Sequence, residues 1–210
     1  MSENARELDR YLTEHFEDLE LKSPLFYNAP FGIRFELGSD LGWDDGRMDQ
    51  ILFRTQTLFH ESFSSKEEMY FVIFTDVWNE EMKCKDEDLV FNSYRKCLSH
   101  EIPQKDISKI ELPFRYEDDD IDYTITNRYC LKCNVGDFRS GTYLRDKVNE
   151  DIYGDSYLIN LNRGLIFYFY DDRGMDIVAT RKDVLAELYT KYSDWILEYD
   201  RKKIDNLFLP

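Results

Sequence analysis

Leu165-Ile166-Phe167-Tyr168-Phe169-Tyr170, followed by Asp171-Asp172-Arg173-Gly174 and then by Ile177-Val178-Ala179, decides how this chain must fold. An unbroken apolar and aromatic run, a stretch of turn chemistry and a second apolar run predict a strand, a tight turn and a returning strand. The first run has no polar alternation, so both its faces must be covered, which places it at the centre of a sheet. A closing helix is expected next. Thr180 is its predicted N-cap, with Asp183 as a short capping-box acid. Leu185, Leu188, Tyr189, Tyr192, Trp195, Ile196 and Tyr199 recur at helical steps as one continuous apolar stripe.

Working outward from that hairpin, Leu8, Tyr11, Leu12, His15, Phe16 and Leu19 predict an opening amphipathic helix, ended by Ser23-Pro24. Phe31, Ile33, Phe35 and Leu37 alternate with Gly32, Arg34 and Glu36 as a half-buried strand. Gly38 to Gly46 is a loop by composition, and its Trp43 suits either a recognition anchor or a core plug. Met48, Ile51, Leu52, Leu58, Phe59 and Phe63 predict a second helix, and Tyr70 to Phe74 a second buried strand. A polar connection holding Trp78, Asn79, Glu80 and Glu81 leads to a third helix on Leu89, Val90, Tyr94, Cys97 and Leu98.

Two alternating stretches come next. Ile110, Leu112, Phe114 and Tyr116 form one, with Pro113 pushing it to a sheet edge, and Tyr123, Ile125, Tyr129, Leu131, Cys133 and Val135 form the other. The acidic tip Glu117-Asp118-Asp119-Asp120-Ile121-Asp122 joins them as a hairpin. A short helix on Tyr143, Leu144, Val148 and Ile152, then a strand over Tyr157 to Leu161, complete the pattern. The expected fold is a single α+β domain over residues 1–210, with a mixed or largely antiparallel sheet and helices packed on it. A soft lobe boundary near 101–106 is the alternative division.

Hydrophobic content of 42%, with 16% aromatic, is enough for a packed core. A net charge of -16 argues against direct binding to nucleic acid, whose phosphates would meet a surface of their own sign, and favours a basic protein partner. Met1 to Arg10 is polar and lacks an apolar signal core, and no apolar stretch approaches the roughly 20 residues that span a bilayer. A soluble, cytoplasmic protein is expected, with no membrane contact.

Ser23-Pro24-Leu25-Phe26-Tyr27-Asn28-Ala29-Pro30-Phe31-Gly32-Ile33-Arg34-Phe35-Glu36-Leu37-Gly38 in one block, and Tyr170 to Asp176 with Tyr192-Ser193-Asp194-Trp195-Ile196-Leu197 in another, resemble an uncharacterised bacterial family, domain of unknown function 3885 (DUF3885). The resemblance covers nearly the whole chain. It implies a bacterial origin and a soluble fold, and it supplies no activity, cofactor or catalytic residue.

Four sets of residues carry chemistry worth weighing. Cys84, Cys97, Cys130 and Cys133 include a C-x-x-C spacing, but the last two fall within a predicted strand, where a three-residue step sends side chains to opposite faces; zinc is not expected. Asp118, Asp120 and Asp122 copy the first ligand positions of a calcium loop, and the copy fails where Tyr123 replaces the turn glycine and Tyr129 the closing glutamate. Asp171, Asp172, Arg173 and Asp176 sit where a buried strand ends and turns, a place for a carboxylate-held metal or small ligand; the plainer reading is a capped turn in which Gly174 takes positive φ. His15, His60 and His100 do not converge, and Glu81-Met82-Lys83 matches only half of a nuclease motif.

These readings lead to two main expectations, beside a third, a structural subunit of a larger assembly. The first is a non-enzymatic module that binds a basic protein, of the immunity or inhibitor type, using Asp118, Asp119, Asp120, Asp122, Trp43 and Trp78. The second is a metal-dependent enzyme or small-ligand sensor with its site at Asp171, Asp172, Arg173 and Asp176. No catalytic residue and no cofactor is expected under the first.

Overall fold

The structure, a computed structural model, describes residues 3–38, 45–116 and 125–209. Among these residues seven strands form one sheet: β1 (Phe31–Glu36), β2 (Glu68–Val77), β3 (Ser108–Pro113), β4 (Ile125–Asn134), β5 (Asp155–Asn160), β6 (Leu165–Asp171) and β7 (Gly174–Ala179). Their order is β1-β7-β6-β5-β2-β4-β3, and every neighbouring pair is antiparallel. The helices are α1 (Glu3–Phe16), α2 (Leu25–Asn28), α3 (Asp45–Ser62), α4 (Glu80–Cys97), α5 (Ser140–Val148), α6 (Lys182–Lys191) and α7 (Arg201–Phe208). This is an α+β fold. Strand β2 pairs with β4 and β5, so the sheet joins residues on both sides of 101–106.

The quoted run folds as β6 and has both faces covered. Leu165, Phe167 and Phe169 enter one core with residues of α3, α4, α5 and α6, while Ile166 and Tyr168 enter a second core with Leu8, Leu12 and Phe16 of α1. Strand β6 is interior, between β7 and β5, but the middle of the sheet is β5. Pro113 ends β3, and β3 is an edge, where a missing N–H costs no ladder bond.

The closing helix departs from its predicted form. It stops at Lys191, single 3-10 turns follow at Ser193–Trp195 and Glu198–Asp200, and α7 begins at Arg201. The break has a tertiary cause: Ile196 bridges Phe35 antiparallel to β1, and the Leu197 N–H donates to the Arg34 carbonyl at 2.9 Å. Ile196 is therefore buried from an extended segment, while Tyr199, at the end of the proposed stripe, is 85% exposed. The N-cap position is Arg181 rather than Thr180, and the Thr180 N–H bonds back to Gly164.

Two further differences follow from local chemistry. The connection at Asn79–Glu81 is the first turn of α4, capped by the Asn79 side chain, which accepts from the Met82 N–H at 2.8 Å. Gly174 does not take positive φ; the described glycines that do are Gly154 and Gly164. What Gly174 supplies is space, because a Cβ there would collide with the Tyr170 hydroxyl and lie 2.8 Å from the Phe35 carbonyl oxygen.

Candidate functional site

Strand register brings the described Trp78 and the Asp171–Arg173 turn to one end of the sheet. Glu36 pairs with Gly174, Asp171 with Gly174, Phe74 with Asp155, Val77 with Ile125, and Ile125 with Pro113. The ends of β1, β2, β3 and β6 and the starts of β4, β5 and β7 therefore form one rim. At about 4.8 Å per strand, seven strands make that rim about 29 Å wide. The chain leaves the sheet here at 36 and 77 for α3 and α4, returns at 155 after α5, and joins strand to strand over 113–125 and 171–174. Trp43 and the acidic Asp118, Asp119, Asp120 and Asp122 belong to connections anchored at this rim but lie outside the described residues. Trp78 is described: it directly follows the Val77–Ile125 pair and is 57% exposed.

The approach to the acidic connection is fixed by Arg115. Its side chain is buried, with Nη2 3.1 Å from Asp155 and 3.3 Å from Asp76, Nη1 donating to the Leu21 carbonyl at 3.0 Å, and its guanidinium 4.3 Å over the Phe74 ring. Thr126 donates to the other oxygen of Asp76 at 2.6 Å.

At the β6–β7 turn the four predicted residues do not converge. The Arg173 N–H donates to Asp171 Oδ1 at 2.8 Å and its Nε to Oδ2 at 2.9 Å, so Asp171 caps the turn and Arg173 neutralises it. Asp172 accepts from Arg47 of α3 at 2.7 Å. Asp176 is fully buried and faces the Val178 side of the sheet, where Arg34 grips both its oxygens at 2.8 and 3.2 Å and the Phe26 N–H adds a bond at 2.9 Å. Each carboxylate thus holds its own arginine, and among the described residues no group of three or more His, Cys, Asp or Glu is placed to hold a metal ion. Burial pushes the Asp176 carboxyl up; Arg34 and the Phe26 N–H pull against it.

Arg34 extends this network across the fold. Its Nη1 lies 3.3 Å from Asp200, which also accepts from the Tyr27 hydroxyl at 2.7 Å, and its guanidinium stacks 4.8 Å over the Tyr27 ring. The network ties α2, β1, β7 and the start of α7 together.

Asp171 and Asp172 do border a cavity of about 540 Å³, whose other walls include Arg47, Ile51, Lys147 and Val148. Burial lowers the Lys147 pKa against the opposing pull of Asp155, Asp171 and Glu150, and Nζ donates to the Gly154 carbonyl at 3.3 Å. Lys147, Arg47 and Arg34 were not legible as site residues, because their partners are distant in sequence; Arg34 in particular reads as the outward member of an alternating strand.

The cysteines follow the strand geometry. Cys130 joins the α1-side core and Cys133 packs against the opposite one, so the C-x-x-C pair is divided by the sheet. All four thiols are free, and burial pushes Cys97 up to about 12 and Cys130 to about 11.

A single antiparallel sheet with helices on both faces defines the class: an α+β protein. Residues 8–200 match the family described as Domain of unknown function (DUF3885), and the chain belongs to that family. It is similar to the "Uncharacterized protein YnaE" of Bacillus subtilis (strain 168), 26% identical over an aligned length of 208, with 90% of this chain and 96% of that protein covered. No solved structure matches. Among the described residues, no helix is long and apolar enough to cross a membrane.

Proposed function

We propose that this chain is a protein-binding module that docks a basic partner on the loop rim of its sheet, as an immunity-type or inhibitor protein does when it neutralises a target. The observation that carries this reading is the register: it brings the exposed Trp78, the Asp171–Asp172 turn and both ends of the acidic connection to one side of the molecule. A rim about 29 Å wide accommodates the roughly 800 Å² per partner of a standard interface. Three described arginines at the rim already pair with carboxylates, Arg47 with Asp172, Arg115 with Asp76 and Asp155, and Arg173 with Asp171. The connecting sequence adds Glu117, Asp118, Asp119, Asp120 and Asp122. Long-range attraction would speed encounter with a positive surface, and Trp78 would supply anchoring area. A cytoplasmic setting is part of this proposal, and the free thiols are compatible with it.

The test is capture of the tagged chain from its native host at low salt, with co-purifying chains identified by mass spectrometry. A stoichiometric basic protein, released as salt rises, is expected; a partner that is neutral or acidic, or whose binding ignores salt, would overturn the charge-based reading.

A second reading, a small-ligand sensor, is favoured by the cavity beside Asp171 and Asp172 with Lys147 in its wall. A panel of small carboxylates screened by thermal shift should then raise the melting temperature of the native chain and leave Lys147→Met unmoved.

A further inference from the structure

Asp86 on α4 is fully buried, and the other buried aspartates show what it lacks. Asp176 and Asp200 both pair with Arg34. Asp86 has only neutral donors: Asn127 Nδ2 at 2.8 Å and the Tyr129 hydroxyl at 2.6 Å, both on Oδ2. Lys109 lies 5.4 Å from the Tyr129 ring centre but is bonded to Glu87 at 2.9 Å. An ionised carboxylate buried without a countercharge costs several kcal/mol.

The unsatisfied atoms around Asp86 are oxygens. Asp86 Oδ1, Asn127 Oδ1 and Thr75 Oγ1 are all buried without a hydrogen-bond partner. Thr75 and Asn127 are directly opposed on β2 and β4, so their side chains leave the same face of the sheet, a few Å apart, on the face that α4 covers. Tyr153 is tied to α4 beside this cluster. Its N–H donates to Ser93 of α4 at 3.1 Å, and Gly154 beside it packs so close to Thr75 that a Cβ would come within 2.9 Å of Thr75 Cγ2. Burial, the Asp86 charge and a hydrogen bond to Asp86 raise the Tyr153 pKa, which makes its hydroxyl a further neutral neighbour of that carboxylate.

We propose that this cluster of hard oxygens binds a small monovalent cation, sodium or potassium, held by Asp86 Oδ1, Asn127 Oδ1 and Thr75 Oγ1. Two of the ligands, a carboxylate oxygen and an amide carbonyl oxygen, have no proton to give, and the single Thr75 hydroxyl can donate to only one of them, so a cation suits the set. A water molecule would satisfy their hydrogen-bonding capacity and leave the charge uncompensated. A divalent ion would replace one buried unit charge by another of opposite sign. A single positive charge leaves the site neutral, and oxygen donors are the ligands that hard cations take.

Melting of the full chain in sodium, potassium and choline chloride at equal ionic strength tests this. Choline is too large for the site, so screening of the acidic surface is held constant while the bound ion is withdrawn. Sodium or potassium should raise the melting temperature by about 5 °C over choline, and the 23Na resonance should broaden on addition of protein. Thr75→Val, which keeps the shape of the side chain, should shrink the difference, and Asp86→Asn should abolish it. Equal melting in all three salts overturns the proposal, as does a sodium or potassium response that survives in Asp86→Asn. If Asp86→Asn does not fold, the salt series and Thr75→Val still decide.

Discussion

Asp171 and Asp176 belong to one hairpin, yet the sheet divides them into two kinds of carboxylate. Asp176 points into the protein, where Arg34 holds it in a closed network with Asp200, Tyr27 and the Phe26 N–H. Asp171 stays at the surface, bonded to Arg173, whose side chain is 73% exposed. The difference teaches that proximity in sequence is poor guidance to a shared site. A strand reverses direction at the turn and alternates faces along its length, so neighbours in a motif can end as a structural lock and an open surface.

The sharpest way to break this comparison is to remove the lock. Arg34→Met leaves Asp176 buried without its cation and should cost about 3–5 kcal/mol, read as a lowered urea midpoint. A loss below about 1 kcal/mol would show that Asp176 is solvated after all. Pairing the change with Asp176→Leu should recover much of the stability.

Gly174 separates the two regions, and filling its space strains both. Gly174→Ala should cost about 1–3 kcal/mol, because the new methyl must displace the Tyr170 ring or the Phe35 backbone. A neutral result in thermal melting would show that this corner relaxes freely.

Lys147 tests the cavity at the open end, and here the sign depends on pH. Burial holds its folded pKa below the unfolded value, so between those two values the unfolded chain binds more protons and stability rises with pH. Replacing the charge by Lys147→Met should therefore stabilise the fold by roughly 1 kcal/mol near neutrality. That advantage should shrink as pH climbs toward the ordinary lysine range. An advantage that is flat with pH would place its origin in packing instead of charge.

The smallest stability effect belongs to the open turn. Asp171→Asn keeps an acceptor for the Arg173 N–H and removes only an exposed ion pair, so it should change stability by less than about 0.5 kcal/mol. A larger loss would mean that this turn is as structural as Asp176.

Much of this architecture was legible in the residues. The polarity-free run of β6, the alternation of β1 and the edge position of Pro113 each express a local rule that the sheet obeys. The closing helix misled because Ile196 satisfies helical spacing while a bridge to Phe35 holds it extended, and spacing cannot report a strand that lies far back in the chain. Asn79 was readable as a cap, since it precedes a helical run at the usual distance, but the charged residues after it read as a connection. Arg34 and Asp176 were hidden for another reason: an ion pair between residues 142 positions apart leaves no local pattern. Asp86 was hidden likewise among the exposed acids of α4, where only the fold distinguishes it from Glu87 and Asp88.

The central claim is that a basic partner docks on the rim, and capture with three baits tests it most directly. One bait is the native chain. The second is a rim variant, Trp78→Ala with Asp118, Asp119 and Asp120 changed to Asn, and the third is Glu187→Gln, whose 80% exposed side chain lines the cavity beside the β5–β6 turn at the opposite end of the sheet. The native chain and Glu187→Gln should retain the same basic protein, and the rim variant should lose it. Retention of that protein by all three, or recovery of a partnerless native chain, would contradict the account.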